Sequence, residues 1–344
     1  MTSVFAELST DDVVAAPADS APGLWRAVAA ALPAPEATTG ELAAVARDAG
    51  YHATPGPVAE TLLVARPVLT AAGLPVPDGP LSYATGDLRV SYAHPDPESR
   101  VGPFGAAGTD HTLRVSGTLH RVPWARMCSE IVVVGDAPFG PVAFLLDPGD
   151  ATLRPGGNLA GEPRDTLALT DVEIPAHRVR ATSRALSAET ALRAALARAV
   201  LIAGAAQRCA ELTIQHTATR EQFGRPLRHF QAVKQEEAKL IEETALLRAA
   251  VDAAVTGLGT SRAEFTVAAA KAQASDSIAE ITRIAHQLHG AIGFTELSSL
   301  RFVTTRLWSW RDEDGSEQHW SQRLGRQVLG TDADRLWPLV TATT

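Results

Sequence analysis

Between Thr219 and Val233 the chain reads TREQFGRPLRHFQAV, which concentrates three arginines and two glutamines around one Gly-Arg-Pro turn. A guanidinium fork with nearby amide groups suits bidentate capture of a phosphate or carboxylate. Local structure accounts for part of the segment. Arg220 falls in the last turn of a helix, where a cation is favoured. Gly224 reads as a left-handed helix cap and Pro226 as the start of the next helix. Helix punctuation does not explain why Arg220, Gln222, Phe223 and Gln231 converge on one turn. Downstream, QLHGAIGFT from Gln287 to Thr295 places glycines where a backbone can approach an anion closely. Farther on, Arg311-Asp-Glu-Asp314 gathers carboxylates that suit either a general base or a solvated turn before the last helix.

These segments carry a family resemblance. Arg220 to Val233 resembles the R-x-x-F-G-x-P-[IL]-x-x-F-Q signature of the acyl-CoA dehydrogenases. Gln287 to Thr295 resembles their Q-[IL]-x-G-G-x-G-[FY]-T element, and Thr170 to Pro175 (TDVEIP) their D-V-x-V-P exit from a central β-domain. The three occur in the family's order. The likeness covers most of the chain from about residue 40 and is specific after about 165. It implies FAD as cofactor. Arg220 would reach the flavin pyrophosphate of a neighbouring subunit, helped by Gln222, Phe223 and Gln231. Gln287, Leu288, His289, Gly290 and Ala291 would run along the ADP half. Ala291 stands where the second glycine is usual. Counting from Gly293 puts Asp314-Gly315-Ser316 on the family's E-G-[TS] positions. Asp314 would then be the base that removes the substrate α-proton, with Glu313 as its alternate, Gly315 at the substrate and Ser316 at the cofactor. An aspartate base is shorter than the usual glutamate by roughly 1.5 Å of reach.

Other positions depart from the family pattern. The T-E-x-x-[AG]-G-S loop is missing; its place falls near Ser91 to Pro97. Arg121-Val-Pro-Trp124 replaces the W-[IV]-[ST] strand, leaving Trp124 to stack on flavin or to fill the β-domain core. The F-D-x-x-R element expected near Leu192 to Ala195 is absent, with Arg193 and Arg198 as possible substitutes. Such departures resemble the short chains that pair with a second, different chain in bacterial heterotetrameric enzymes acting on steroid side chains. The resemblance therefore implies an α,β-dehydrogenase of an acyl-CoA or carrier-bound acyl thioester, in fatty acid or steroid metabolism. Its assembly would be a homodimer, homotetramer or heterotetramer. Two other readings stay open: a non-catalytic subunit that completes a partner's FAD site, and a flavin-dependent oxidase or monooxygenase on the same fold.

The elements that must position these residues fall into three blocks. Residues 1–82 read as proline-broken helices, including Trp25 to Leu32, Gly40 to Ala49, and Thr61 to Ala72 with a kink or break at Pro67. Residues 83–182 alternate as short strands, a small antiparallel barrel or sandwich that ends near Pro175. Residues 183–344 are helical, starting at a Ser187 cap and broken at Gly257-Leu-Gly259, as in a four-helix bundle. The expected class is mainly α with a central β-domain, the acyl-CoA dehydrogenase fold.

The 344 residues are 45% hydrophobic and 20% charged, which allows a large core and excludes wholesale disorder. A formal charge of −8 argues against nucleic acid or an anionic membrane as partner. No apolar run is long enough to span a bilayer, and acids replace the basic start of a signal peptide, so a cytoplasmic protein is expected. Cys128 and Cys209 are too few for a disulfide scaffold or thiolate zinc site and read as buried small hydrophobes. His94, His111 and His120 lack metal-ligand spacing, so no metal is expected.

Overall fold

A computed structural model describes residues 4–15, 25, 37–86, 88–93, 112–295 and 298–341. The Trp25 to Leu32 helix, apart from Trp25 itself, lies outside the described residues, as do His94 to Pro97 and His111. The chain folds as two compact units. One combines residues 1–15, 33–54 and 195–344; the other combines 16–32 and 55–194. This grouping differs from the successive blocks 1–82, 83–182 and 183–344. The N-terminal segments divide between the units, 39–51 falling in one and 60–72 in the other.

The β-containing unit has two four-stranded sheets. In the first, β1 (Leu81–Thr85), β4 (Glu130–Ala137), β5 (Gly140–Leu146) and β8 (Val179–Ala181) lie in the order β1-β4-β5-β8. In the second, β2 (Leu88–Tyr92), β3 (Leu113–Pro123), β7 (Arg164–Ile174) and β6 (Thr152–Arg154) lie in the order β2-β3-β7-β6. Alternating side chains, among them Leu119, Val133, Phe144 and Leu167, fill one apolar core. The β1–β4 pair is parallel and the others antiparallel, which corrects the all-antiparallel expectation. The sheet also runs past Pro175 to Ala181, since β8 pairs with β5.

The kink or break expected at Pro67 is present as a change of helix type, two short pieces meeting between Ala65 and Arg66. A wider π-turn over Glu60–Ala65 changes to α geometry in α4 (Arg66–Ala72), and Pro67 lies in the first turn of that α segment. A proline offers no N–H to the preceding turn, which suits a change of hydrogen-bond register at this point. Thr61 Oγ1 donates to the Leu81 carbonyl at 2.9 Å and accepts from the Leu81 amide at 3.0 Å, tying this helix to the end of β1. Trp124 is only 2% exposed, so its indole is core packing and not a ligand surface. The Arg164 guanidinium lies 5.8 Å from its ring centre.

The helical unit holds α1 (Val4–Leu8), α2 (Asp11–Ala15) and α3 (Thr39–Tyr51). It continues with most of α5 (Arg184–Thr219), then α6 (Gln231–Gly257), α7 (Ala263–His289), α8 (Leu300–Trp310), α9 (Glu317–Leu329) and α10 (Ala333–Thr341). Helix α5 begins before Ser187. The Ser183 hydroxyl accepts from the Leu186 amide at 3.3 Å, and Ser187 lies inside the helix. Helix α3 opens with a reciprocal cap between Thr38 and Glu41. It crosses α5 through glycines. A Cβ built at Gly50 would lie 2.3 Å from the Leu201 carbonyl oxygen, and one at Gly204 would lie 2.0 Å from that of Arg47. Helices α6 and α7 pack as a pair, and α7 also packs against α8 and α9. Cys209 is buried, which pushes its thiol up to about 12, whereas Cys128 is only partly buried. Trp310 is core, and Trp308 lies at the surface under Arg311.

Candidate cofactor cleft and acidic turn

Helix α5 ends at Thr219, and the chain reverses in a two-residue hairpin that pairs Glu221–Gln222 with Arg225–Pro226. Phe223 and Gly224 form its tip with φ of 52° and 77°. Two successive left-handed residues match the twist of a tight hairpin, which explains the glycine at 224. Gly224 is thus a hairpin residue and not a helix cap. Pro226 lies in the hairpin, and α6 starts only at Gln231.

The hairpin faces the end of α7. Together they form a cleft of about 760 Å³, with Arg220 and Gln222 on one wall and Gln287 to Ile292 on the other. Gly290 adopts φ of 62°, and a Cβ there would meet nothing within 4 Å, so the backbone opens to the cleft. Ala291 is exposed and has no left-handed backbone, so its methyl costs no strain. Among the described residues, no hydrogen bond or ion pair engages the exposed Arg220 guanidinium. A free guanidinium, two amide side chains and an open glycine backbone suit an anionic diphosphate, so these residues fit FAD.

The cleft brings together seven of the residues expected there: Arg220, Gln222, Gln287, Leu288, His289, Gly290 and Ala291. Phe223 is 89% exposed at the hairpin tip, edge-on to Phe230, and does not line the cleft. Neither does Gln231, the first residue of α6. His216 was not anticipated, yet it lines the cleft one helical turn before Arg220, so the i,i+4 rule would have found it. Its ring stacks on that of His289, 4.4 Å between centres. Burial, reinforced by His289 and Arg220, holds His216 below its ordinary imidazole value. Burial also lowers His289, partly offset by its bond to the Ala285 carbonyl.

Asp314, Glu313, Gly315 and Ser316 are not in this cleft. They form the turn between α8 and α9, where Asp314 and Gly315 both have positive φ. Arg198, 2% exposed on α5, holds both acids: its Nε is 3.0 Å from Asp314 Oδ2 and its Nη1 3.3 Å from Glu313 Oε2. Arg198 is therefore committed to these acids, and Arg193 pairs with Glu189 at 2.7 Å. Beneath the turn, Lys271 is fully buried. Its amine donates to Ser275 Oγ at 2.9 Å, the Arg311 carbonyl at 2.7 Å and the Gly315 carbonyl at 2.8 Å. Burial lowers this amine to about 8, against the pull of Asp314. The Trp320 indole donates to the Asp314 carbonyl at 2.9 Å, and the Ser316 hydroxyl caps α9. Of the two readings of this segment, the free solvated turn does not hold.

A helical unit and a β unit of two four-stranded sheets, with the cleft at the α5–α6 hairpin, are the parts of the acyl-CoA dehydrogenase fold. The chain matches, over residues 184–329, the family profile described as acyl-CoA dehydrogenase, C-terminal domain. It is similar to acyl-CoA dehydrogenase FadE27 of Mycobacterium tuberculosis, 27% identical over 71% of this chain and 68% of that one. It is 33% identical to acyl-CoA dehydrogenase IpdE2 of Mycolicibacterium smegmatis, over 48% of this chain and about half of that protein's length (51%). Its fold resembles a chain of the ChsE4-ChsE5 complex from M. tuberculosis, with a TM-score of 0.77 at 22% identity over 97% of this chain and 99% of that one. Among the described residues, no group of His, Cys, Asp and Glu could hold a metal, and no helix is long and apolar enough to cross a membrane.

Proposed function

We propose that this chain serves in the α,β-dehydrogenation of an acyl-CoA or carrier-bound acyl thioester. It would contribute the cleft between Arg220 and Ala291 as the ADP-side grip on a neighbouring subunit's FAD. The observation that carries this reading is the convergence of Arg220, Gln222 and the 287–291 backbone around one cleft, with the cation uncommitted. FAD, when bound, supplies the hydride acceptor for the substrate β-carbon. The chain's own task is to hold the diphosphate with Arg220 and to leave room for it along Gly290. Each charge-assisted bond of this kind is worth about 1.5–3 kcal/mol, or roughly 10- to 100-fold in affinity. The test is the visible flavin spectrum of the purified protein, with Arg220→Ala beside it. Flavin bands in the parent, with a FAD Kd 10- to 100-fold weaker in the variant, support the reading. Unchanged affinity in Arg220→Ala overturns it.

A second reading is favoured by Arg198. The buried Arg198 guanidinium is paired with both candidate carboxylates, Asp314 and Glu313, and neither lines the cofactor cleft. In this reading the chain acts as the subunit that completes the FAD site of a second, different acyl-CoA dehydrogenase chain. Asp314→Asn separates the two. Lost turnover with flavin retained supports Asp314 as base. Turnover that persists in the assembled complex places the base in the other chain.

A further inference from the structure

Two histidine side chains in the cofactor cleft have no role in the grip just described, which uses only the backbone at 289. His216 comes from the last turns of α5 and His289 from the last turn of α7, and both side chains line the cleft. Their rings are nearly parallel, 18° apart, with centres 4.4 Å apart. His289 Nδ1 lies 2.8 Å from the Ala285 carbonyl, which can only accept, so Nδ1 carries the hydrogen. The proton acceptor of that ring is therefore Nε2.

We propose that His216 and His289 form a single proton-binding element of the cleft, which takes up one proton when a dinucleotide diphosphate binds. The inference rests on the reading of the cleft as an ADP-side FAD site. Partial burial disfavours the charged form of both stacked rings, and at His216 the neighbouring His289 and the cation of Arg220 add to it. A diphosphate adds negative charge to the same space and reverses that balance. Two imidazolium rings in van der Waals contact repel each other, so the pair binds one proton and not two.

The surrounding charges leave this effect intact. On α5 the neighbouring cation is Arg220, and on the hairpin Glu221 is exposed. On α6, Glu236 is paired with Arg283 of α7 at 2.8 Å, and buried Glu237 accepts from the Thr217 hydroxyl. On α7, His286 stacks on Phe294 and bonds Thr304 Oγ1 at 3.2 Å. Glu236 and Glu237 thus already have partners and Glu221 is open to solvent, so the added diphosphate is the charge that enters the cleft itself.

The test measures FAD binding by flavin fluorescence from about pH 5.5 to 8, the range over which imidazole titrates. The diphosphate of FAD does not ionise in that window, so any slope belongs to the protein. Calorimetry in two buffers of different ionisation heat counts protons. The expected result is affinity that falls by up to about tenfold per pH unit on the alkaline side, with about one proton taken up per FAD. His216→Phe, which keeps a stacked ring, should bind FAD with a flat profile and no uptake. His216→Asn, smaller and polar, should do the same and guards against a packing artefact of the phenyl ring. FAD binding by the parent with no proton uptake, or the same slope in parent and both variants, overturns the inference alone. No FAD binding by the parent at any pH overturns the underlying reading as well.

Discussion

Lys271→Met should cost little stability near neutral pH and progressively more as the solution becomes alkaline. The parent amine lies fully buried, with its folded value lowered from 10.5 to about 8. Between those values the unfolded chain binds more protons than the native one, so native stability rises with pH. A shift of about 2.5 units at 1.36 kcal/mol each gives a rise of about 3 kcal/mol across that window. Below about pH 8 the same amount is a standing cost of burying the charge, which methionine does not incur. Against this, the substitution removes the donor to the Gly315 carbonyl and one donor to Ser275. The Arg311 carbonyl keeps its bond from the Ser275 hydroxyl at 2.7 Å. One orphaned carbonyl and one weakened hydroxyl come to about 2–4 kcal/mol. The two contributions nearly cancel at pH 7, and the bond loss stands alone near pH 10. Urea unfolding of parent and variant at about pH 7, 8.5 and 10 reads the difference directly, with other alkaline titrations common to both. A stability gap that stays constant across this range would refute the reasoning.

Three further outcomes follow from the packing. Gly204→Ala drives a methyl into the Arg47 carbonyl and should destabilise by about 1–3 kcal/mol, read as a lower urea midpoint at unchanged slope. Arg198→Met removes the buried cation from Glu313 and Asp314 and should cost about 3 kcal/mol, nearly independent of added salt because the pair is shielded from solvent. Thr38→Ala deletes the side-chain cap of α3 and should cost about 1 kcal/mol, measured by thermal unfolding.

The sequence displayed the β unit through its alternating runs, and the strands around Val133, Phe144 and Leu167 lie where that alternation placed them. It displayed the long helices through their periodicity and the Gly257–Gly259 break. The cofactor cleft was legible in part: Arg220, Gln222 and Gln287 to Ala291 do come together, whereas Phe223 and Gln231 stand outside. The hairpin was hidden because a glycine followed by a proline satisfies a helix cap and a tight turn equally well. Pro67 did mark the place where the helix divides into two short pieces, but the π geometry of the first piece leaves no trace in the residue pattern. The Arg198–Asp314 pair was out of reach. It joins helix α5 to a turn made far later in the chain, and no local pattern records such a pairing. Lys271 is invisible for the opposite reason: a lysine in a helix reads as surface, and only tertiary carbonyls make its burial tolerable.

The close crossing of α3 and α5 at Gly50 and Gly204 bears on how the molecule is made. Helix α3 leaves the ribosome early, with its cap already encoded at Thr38, but its seat is the backbone of a helix not yet synthesised. The whole β unit emerges in between and can pair its own strands while α3 waits. A helix capped before the β unit is made is thus seated only after it. A fragment cut at residue 184, the boundary of the family's C-terminal domain, would carry a helix notched for a partner it no longer has.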